Sequence, residues 1–219
     1  MEGALISLAD VSQEQLLKTA VELSNKGIRH TFQVVDVGQD GAVERLVKRT
    51  VENFGSLDIL VTISDRMRQD PLVELSELEW KRALHVNVTG AFLACRQAAR
   101  IMQGAQQGGR IITIVADKTL KEQGANPPYC PTAGAVVMFT KALAYELACY
   151  GITVNSICPE LAQVVLAAEE FELDKAPPAT HSPEEPGNML AETVSLVCYL
   201  STAEAGSITG ALFTQGGGG

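Results

Sequence analysis

Residues 129–159, YCPTAGAVVMFTKALAYELACYGITVNSICP, decide how the chain folds. Small and apolar residues run from 131 to 151 at helical length. ITVNSICP (152–159) then reads as a buried strand. The same alternation extends in both directions. Upstream, GRIITIVA (109–116), LDILVTI (57–63), HTFQVVDV (30–37) and ALISLA (4–9) read as strands. Between them lie helical patterns at 12–27, where Leu16, Leu17, Ala20 and Leu23 share a face, at 40–55, stopped by Gly55, and at 80–103. Downstream, NMLAETVSLVCYLST (188–202) reads as a helix and GALFTQ (210–215) as a last strand.

Strands that are apolar throughout, in strict β-α-β order, belong in a parallel sheet covered by helices on both faces. The expected fold is therefore α/β: one doubly wound, three-layer αβα domain over residues 1–219. The acidic, proline-rich segment 169–188 is the one long loop expected, at a strand's carboxyl end, where open α/β sheets bind ligands.

Composition narrows the function. A net charge of −9 and a pI near 4.9 argue against nucleic acid or anionic lipid as a partner. No apolar run is expected to reach the roughly 20 residues of a membrane helix, and the N-terminus has no basic signal-peptide region. Cys95, Cys130, Cys149, Cys158 and Cys198 have no paired spacing, which fits reduced thiols in a cytoplasmic protein. His30, His85 and His181 form no metal-ligand pattern.

The order of landmarks resembles the short-chain dehydrogenase/reductase family across essentially the whole chain. VDVGQDGAVERLVKRTVENFGSLDILV (35–61), WKRALHVNVTGAFLACRQAA (80–99), GRIITIVA, the stretch 129–159 and AETVSLVCYLSTAEAGSITGALFTQGGG (191–218) each look like a family segment in its place. The resemblance implies a Rossmann-like fold and a site in which a tyrosine carries the proton while a nicotinamide carries hydride. A free phenol, with a pKa of about 10, is a poor base at neutral pH. In the family a lysine four residues later supplies the charge that favours phenolate. A serine thirteen residues before the tyrosine holds the substrate oxygen, and a helical asparagine supports a proton-relay water.

Transferred residue by residue, the tyrosine is Tyr129 and the asparagine is Asn87, but the lysine position is Ala133 and the serine position is Ala116. Lys118, Lys121 and Lys141 are the cations that could substitute. The family's glycine-rich phosphate turn has no counterpart. The chain reads as starting at the family's second strand, with the N-terminal βα unit truncated; an alternative alignment makes 4–10 the first strand, with one βα unit deleted after it. Asp10 then falls where the family bonds the ribose of NAD, although it has an ordinary explanation as the cap of a helix beginning near Val11. The N-N-A-G motif reads TISD (62–65), and the P-G motif reads Pro159-Glu160.

No catalytic constellation is therefore expected to be intact, and no cofactor is expected on this chain. The two long helices stay rich in small and apolar residues, among them Ala91, Phe92, Ala94, Cys95, Ala98, Ala99, Ala135, Val136, Phe139, Ala142, Leu143 and Leu147. About half should cover the sheet, leaving an apolar surface for a partner. The resemblance implies a structural subunit that supports an active, NAD-binding paralogue in a heterotetramer. Two alternatives stay open: a homomeric ligand-binding or regulatory protein, and an oxidoreductase with atypical catalytic residues.

Overall fold

The computed structural model describes residues 3–64, 72–115, 130–158 and 186–214. In chain order they form β1 (Ile6–Asp10), α1 (Gln13–Asn25), β2 (His30–Val34), α2 (Asp40–Phe54), β3 (Ile59–Ser64) and α3 (Glu77–Ala83). A π-helical turn, Leu84–Thr89, leads into α4 (Gly90–Ala105), followed by β4 (Gly109–Val115), α5 (Cys130–Leu147), β5 (Ile152–Cys158), α6 (Pro186–Leu200) and β6 (Leu212–Thr214). The sequence predicted one uninterrupted helix over 80–103; the chain instead widens at Leu84–Thr89. It also begins α6 at Pro186, inside the stretch expected to be loop. Proline suits a first helical position, because its missing N–H would have no partner there.

Helix ends follow local chemistry. Ser12, not Asp10, caps α1: its hydroxyl accepts from the Gln15 N–H at 3.3 Å. Asp10 ends β1, and its carboxylate accepts from the Ser12 N–H at 2.7 Å, holding the turn that presents the cap. Gly55 stops α2 in the left-handed conformation, φ 89°, as its place in the sequence predicted.

Every strand pair is parallel, but the sheet is in two pieces. β1 pairs with β2, while β3, β4, β5 and β6 lie side by side in that order. β5 is buried along its whole length and β4 along nearly all of it, as strands covered on both faces must be. On one face Cys95, Ala98 and Met102 of α4 and Ala144 and Leu147 of α5 pack on Ile111, Ile152 and Val154. On the other, Ile112, Ile114 and Ile157 meet Leu200 of α6 and Ala205. Inside, the Thr113 hydroxyl bonds Thr140 at 3.0 Å and Ser156 at 2.7 Å, so three buried hydroxyls satisfy one another.

The stretch Pro131–Tyr150 is, by length and mean hydropathy of 1.2, apolar enough to cross a membrane, contrary to the expectation that no run would be. Its packing explains the composition: Val136, Val137, Ala144 and Leu147 of α5 are buried in the core.

Candidate functional site

Ser64, Val115 and Cys158 are the carboxyl-terminal residues of β3, β4 and β5. Open parallel sheets bind ligands beyond this end. The π turn and the start of α5 converge there. A π turn adds a residue to the helical circuit and re-aims what it carries. Here it carries Asn87, which is fully buried. The Asn87 side-chain amide donates from Nδ2 to Thr132 Oγ1 at 3.0 Å, and its main-chain carbonyl accepts from Ser64 Oγ at 3.2 Å. The side chain implied for a water relay is thus bonded to protein groups, as is its carbonyl. Thr132 was not singled out by sequence reasoning, and Ser64 entered it only as part of TISD (62–65). The spacing of Thr132, one residue before Ala133 on a helix facing Asn87, was the available signal.

Ala133, at the position where the resemblance implies lysine, has no exposure and packs with Ala91, Val115, Val136, Val137 and Cys158. Every member of that cluster is apolar. Among the described residues an ammonium there would have no anion beside it, and an unpaired buried charge is strongly unfavourable. Lys141 lies eight residues further along α5, about 12 Å at 1.5 Å per residue, and is exposed. Ala116, Tyr129, Lys118 and Lys121 lie outside the described residues, as do Asp65, Pro159, Glu160 and residues 169–185 of the expected loop.

Near the carboxyl end of β2 is a cluster that sequence reasoning missed. Asp36 accepts from the Gly38 N–H at Oδ1, 3.0 Å, and from Gln39 Nε2 at Oδ2, 3.2 Å, and His85 Nε2 of the π turn lies 3.6 Å from that same Oδ2. Partial burial opposes ionisation, but these donors win and hold the Asp36 carboxyl below its ordinary value. A side chain on Gly38 would strike the His85 ring, whose Nε2 lies 2.1 Å from where a Cβ would be. The D-x-G pattern at 36–38 was the signal for this turn.

The described residues do not fit a dinucleotide phosphate. The turn from β1 into α1 is Asp10-Val11-Ser12, without a glycine. The Asp10 carboxylate and the Ser12 hydroxyl are both engaged in shaping the helix start. No group of three or more His, Cys, Asp or Glu among the described residues could hold a metal ion.

The outer faces of α4 and α5 meet in a hollow of about 310 Å³, bordered by Phe92, Arg96, Arg100, Phe139, Leu143 and Glu146. The Arg96 guanidinium lies over the Phe92 ring, 5.0 Å from its centroid. Of the apolar residues expected on these helices, Ala91, Ala94, Cys95, Ala98, Ala99, Val136 and Leu147 are buried in the core. Ala135 and Ala142 are exposed, and Phe139 and Leu143 are half-buried.

The short chain dehydrogenase family matches residues 1–174. The chain belongs to that family. Among its relatives, the (2S)-[(R)-hydroxy(phenyl)methyl]succinyl-CoA dehydrogenase subunit BbsD of Thauera aromatica is 32% identical over 217 residues, 99% of this chain and 87% of the relative. A short chain dehydrogenase from Mycobacterium smegmatis superposes with a TM-score of 0.81 at 26% identity, covering 97% of this chain and 81% of the other. A gluconate 5-dehydrogenase from Burkholderia cenocepacia, solved with NADP and tartrate, superposes with a TM-score of 0.78 at 26% identity over 97% and 84% of the two chains. These likenesses agree with the family match in placing the chain in the short-chain dehydrogenase fold.

Proposed function

We propose that this short-chain dehydrogenase is catalytically silent and serves as a structural subunit beside an active, NAD-binding paralogue, in a dehydrogenase acting on a hydroxyacyl-CoA or a related alcohol. Ala133 carries the reading. With a methyl group sealed into an apolar cluster where the resemblance implies an ammonium, nothing among the described residues lowers the phenol's pKa. Asn87, bonded to Thr132 and Ser64, serves the packing of the π turn. The name of the Thauera aromatica relative, a dehydrogenase subunit acting on an acyl-CoA, supports the class of complex.

The surface of α4 and α5 supports the mode of assembly. On α5 Met138 is 63% exposed and Tyr145 is 92% exposed, and on α4 Phe92 is 41% exposed. Burial of such side chains is worth at most about 1.5–3 kcal/mol each, a contribution that favours association through these helices. In this reading the complex is a heterotetramer, and its nicotinamide cofactor belongs to the partner.

Native mass spectrometry of the protein isolated from its source tests the proposal, together with assay of the purified chain. A complex with a second, active short-chain dehydrogenase and no turnover by the isolated chain is the expected result. Turnover by the chain alone, lost in Tyr129→Phe, would instead establish an oxidoreductase with atypical residues. A homomer that binds NAD or acyl-CoA without turnover would establish the ligand-binding alternative.

A further inference from the structure

A hollow of about 360 Å³ opens at the amino-terminal end of β2, the opposite end of that strand from Asp36 and His85. Among the described residues its lining is Arg29, His30 and Thr31 at the start of β2, and Arg49, Asn53 and Phe54 in the second half of α2. Arg49 and Asn53 are four apart and so share a face of the helix. Thr31 pairs in register with Ser7 of β1, and the Ser7 and Thr50 hydroxyls bond at 2.8 Å. That bond holds α2 on this sheet one residue from Arg49.

The charge of the hollow runs against that of the molecule. Three of the six lining residues are basic types and none is acidic, in a chain of net charge −9. Lys48, the neighbouring cation on α2, is paired with Glu52 at 3.9 Å. Arg29 and Arg49 make no ion pair and no side-chain hydrogen bond among the described residues. Each guanidinium offers five N–H donors in a rigid fork suited to oxyanions. His30 Nδ1 donates to the Ile28 carbonyl at 3.0 Å, which fixes the ring beside them. Asn53 and Thr31 add neutral donors, and Phe54 adds an aromatic wall.

One effect opposes an anion here: the carboxyl-terminal end of α2 carries about half a negative charge. Its influence fades within the last turn, whereas the two arginines bring two full positive charges, so attraction wins. The donors also choose among anions. A carboxylate has two oxygens in one plane and is filled by a single fork. A phosphate ester presents three outward oxygens, enough for both forks with Asn53 or Thr31 on the third.

We infer that this hollow binds the phosphate group of a small phosphomonoester, whose body lies against Phe54. A volume of about 360 Å³ exceeds what a bare phosphate fills and falls at the low end of small-molecule sites. The hollow shares no residue with the Asn87 site or with the outer faces of α4 and α5, so its test leaves the proposed function untouched.

The test is amide NMR of the full chain, titrated at constant ionic strength with phenyl phosphate, inorganic phosphate or acetate. Phenyl phosphate should shift the amides of Arg29, Thr31 and Asn53 saturably, with a Kd of about 1 mM or below. Inorganic phosphate should bind several-fold more weakly, and acetate about tenfold more weakly or less. Arg29→Gln and Arg49→Gln should each weaken binding about tenfold. Both side chains are exposed, so the fold should survive, which thermal melting verifies. Lys48→Gln should change affinity less than about twofold, because that cation is already paired. The inference is overturned by no saturable shift at the three amides, by acetate binding as well as phosphate, by inorganic phosphate matching the ester, or by Lys48→Gln weakening binding as much as Arg49→Gln.

Discussion

Asn87 and Thr132, 45 positions apart in sequence, are joined by a buried hydrogen bond of 3.0 Å from side-chain amide to hydroxyl. It ties the π turn to the first turn of α5, where the family pattern places its proton chemistry. Removing the acceptor with Thr132→Val should destabilise the fold by about 1–3 kcal/mol, since Asn87 is wholly buried. Ser64→Ala, which removes a donor to a carbonyl, should cost about 1 kcal/mol. Urea titration of both variants checks the order.

Installing the missing lysine should damage the protein without giving it activity. Ala133→Lys forces a long side chain and a charge into the cluster of Ala91, Val115 and Val136. The expected loss is about 3–5 kcal/mol, a large part of a domain's typical stability. The double variant Ala116→Ser, Ala133→Lys should show no turnover with NAD and a secondary alcohol. A melting scan beside a nicotinamide absorbance assay decides it.

On the outer helices, Met138→Glu and Tyr145→Glu should abolish assembly while leaving the fold intact. Both side chains are mostly exposed, so stability should change by less than about 1 kcal/mol. Size-exclusion chromatography of the complex, alongside thermal melting of the chain, separates the two effects.

Cys95 makes alkaline stability measurable. Burial pushes its thiol up from 9.0 to about 12. A raised folded value means the contribution is complete below pH 9.0 and is lost as pH rises toward 12. Stability should fall by up to about 1.4 kcal/mol per pH unit in that window from this group, and Cys95→Ala should flatten the slope. In the same protein, thiol reagents should modify exposed Cys149 and Cys198 quickly and reach Cys95 and Cys158 only on unfolding. Peptide mapping reads the order.

Glycines separate conformational from steric demands. Gly27, at φ 70°, has open space where a Cβ would go, whereas a Cβ on Gly108, at φ 75°, would lie 2.7 Å from the Gly151 carbonyl oxygen. Gly27→Ala should cost about 1–2 kcal/mol, the left-handed backbone preference alone. Gly108→Ala should cost more, because a backbone atom must move. Chemical denaturation of the pair gives the difference.

Strands and helices were legible because their periodicities are local. ITVNSIC and GRIITIV read as buried strands, and Gly55 marked a helix end in advance. What required three dimensions was anything set by distant partners. The widening at Leu84–Thr89 leaves no trace in a run that reads as plain helix. The bonds of Asn87 depend on Ser64 and Thr132, which look unremarkable where they stand. Asp10 was credited with a cap that Ser12 supplies two residues later, because either side chain satisfies the local rule. At the candidate site, the sequence could place Ala133 where the resemblance implies an amine, but its apolar enclosure depends on residues far apart in the chain.

The widened turn at Leu84–Thr89 gives the molecule a mechanical asset. An irregular circuit of helix would ordinarily be a weak spot, ready to fray or shift register. Here it is clamped from two directions, by a strand tip through Ser64 and by a neighbouring helix through Thr132. The turn thus acts as a rivet: it fixes α4 against α5 at one end, so the outer surface of the two helices moves as one piece.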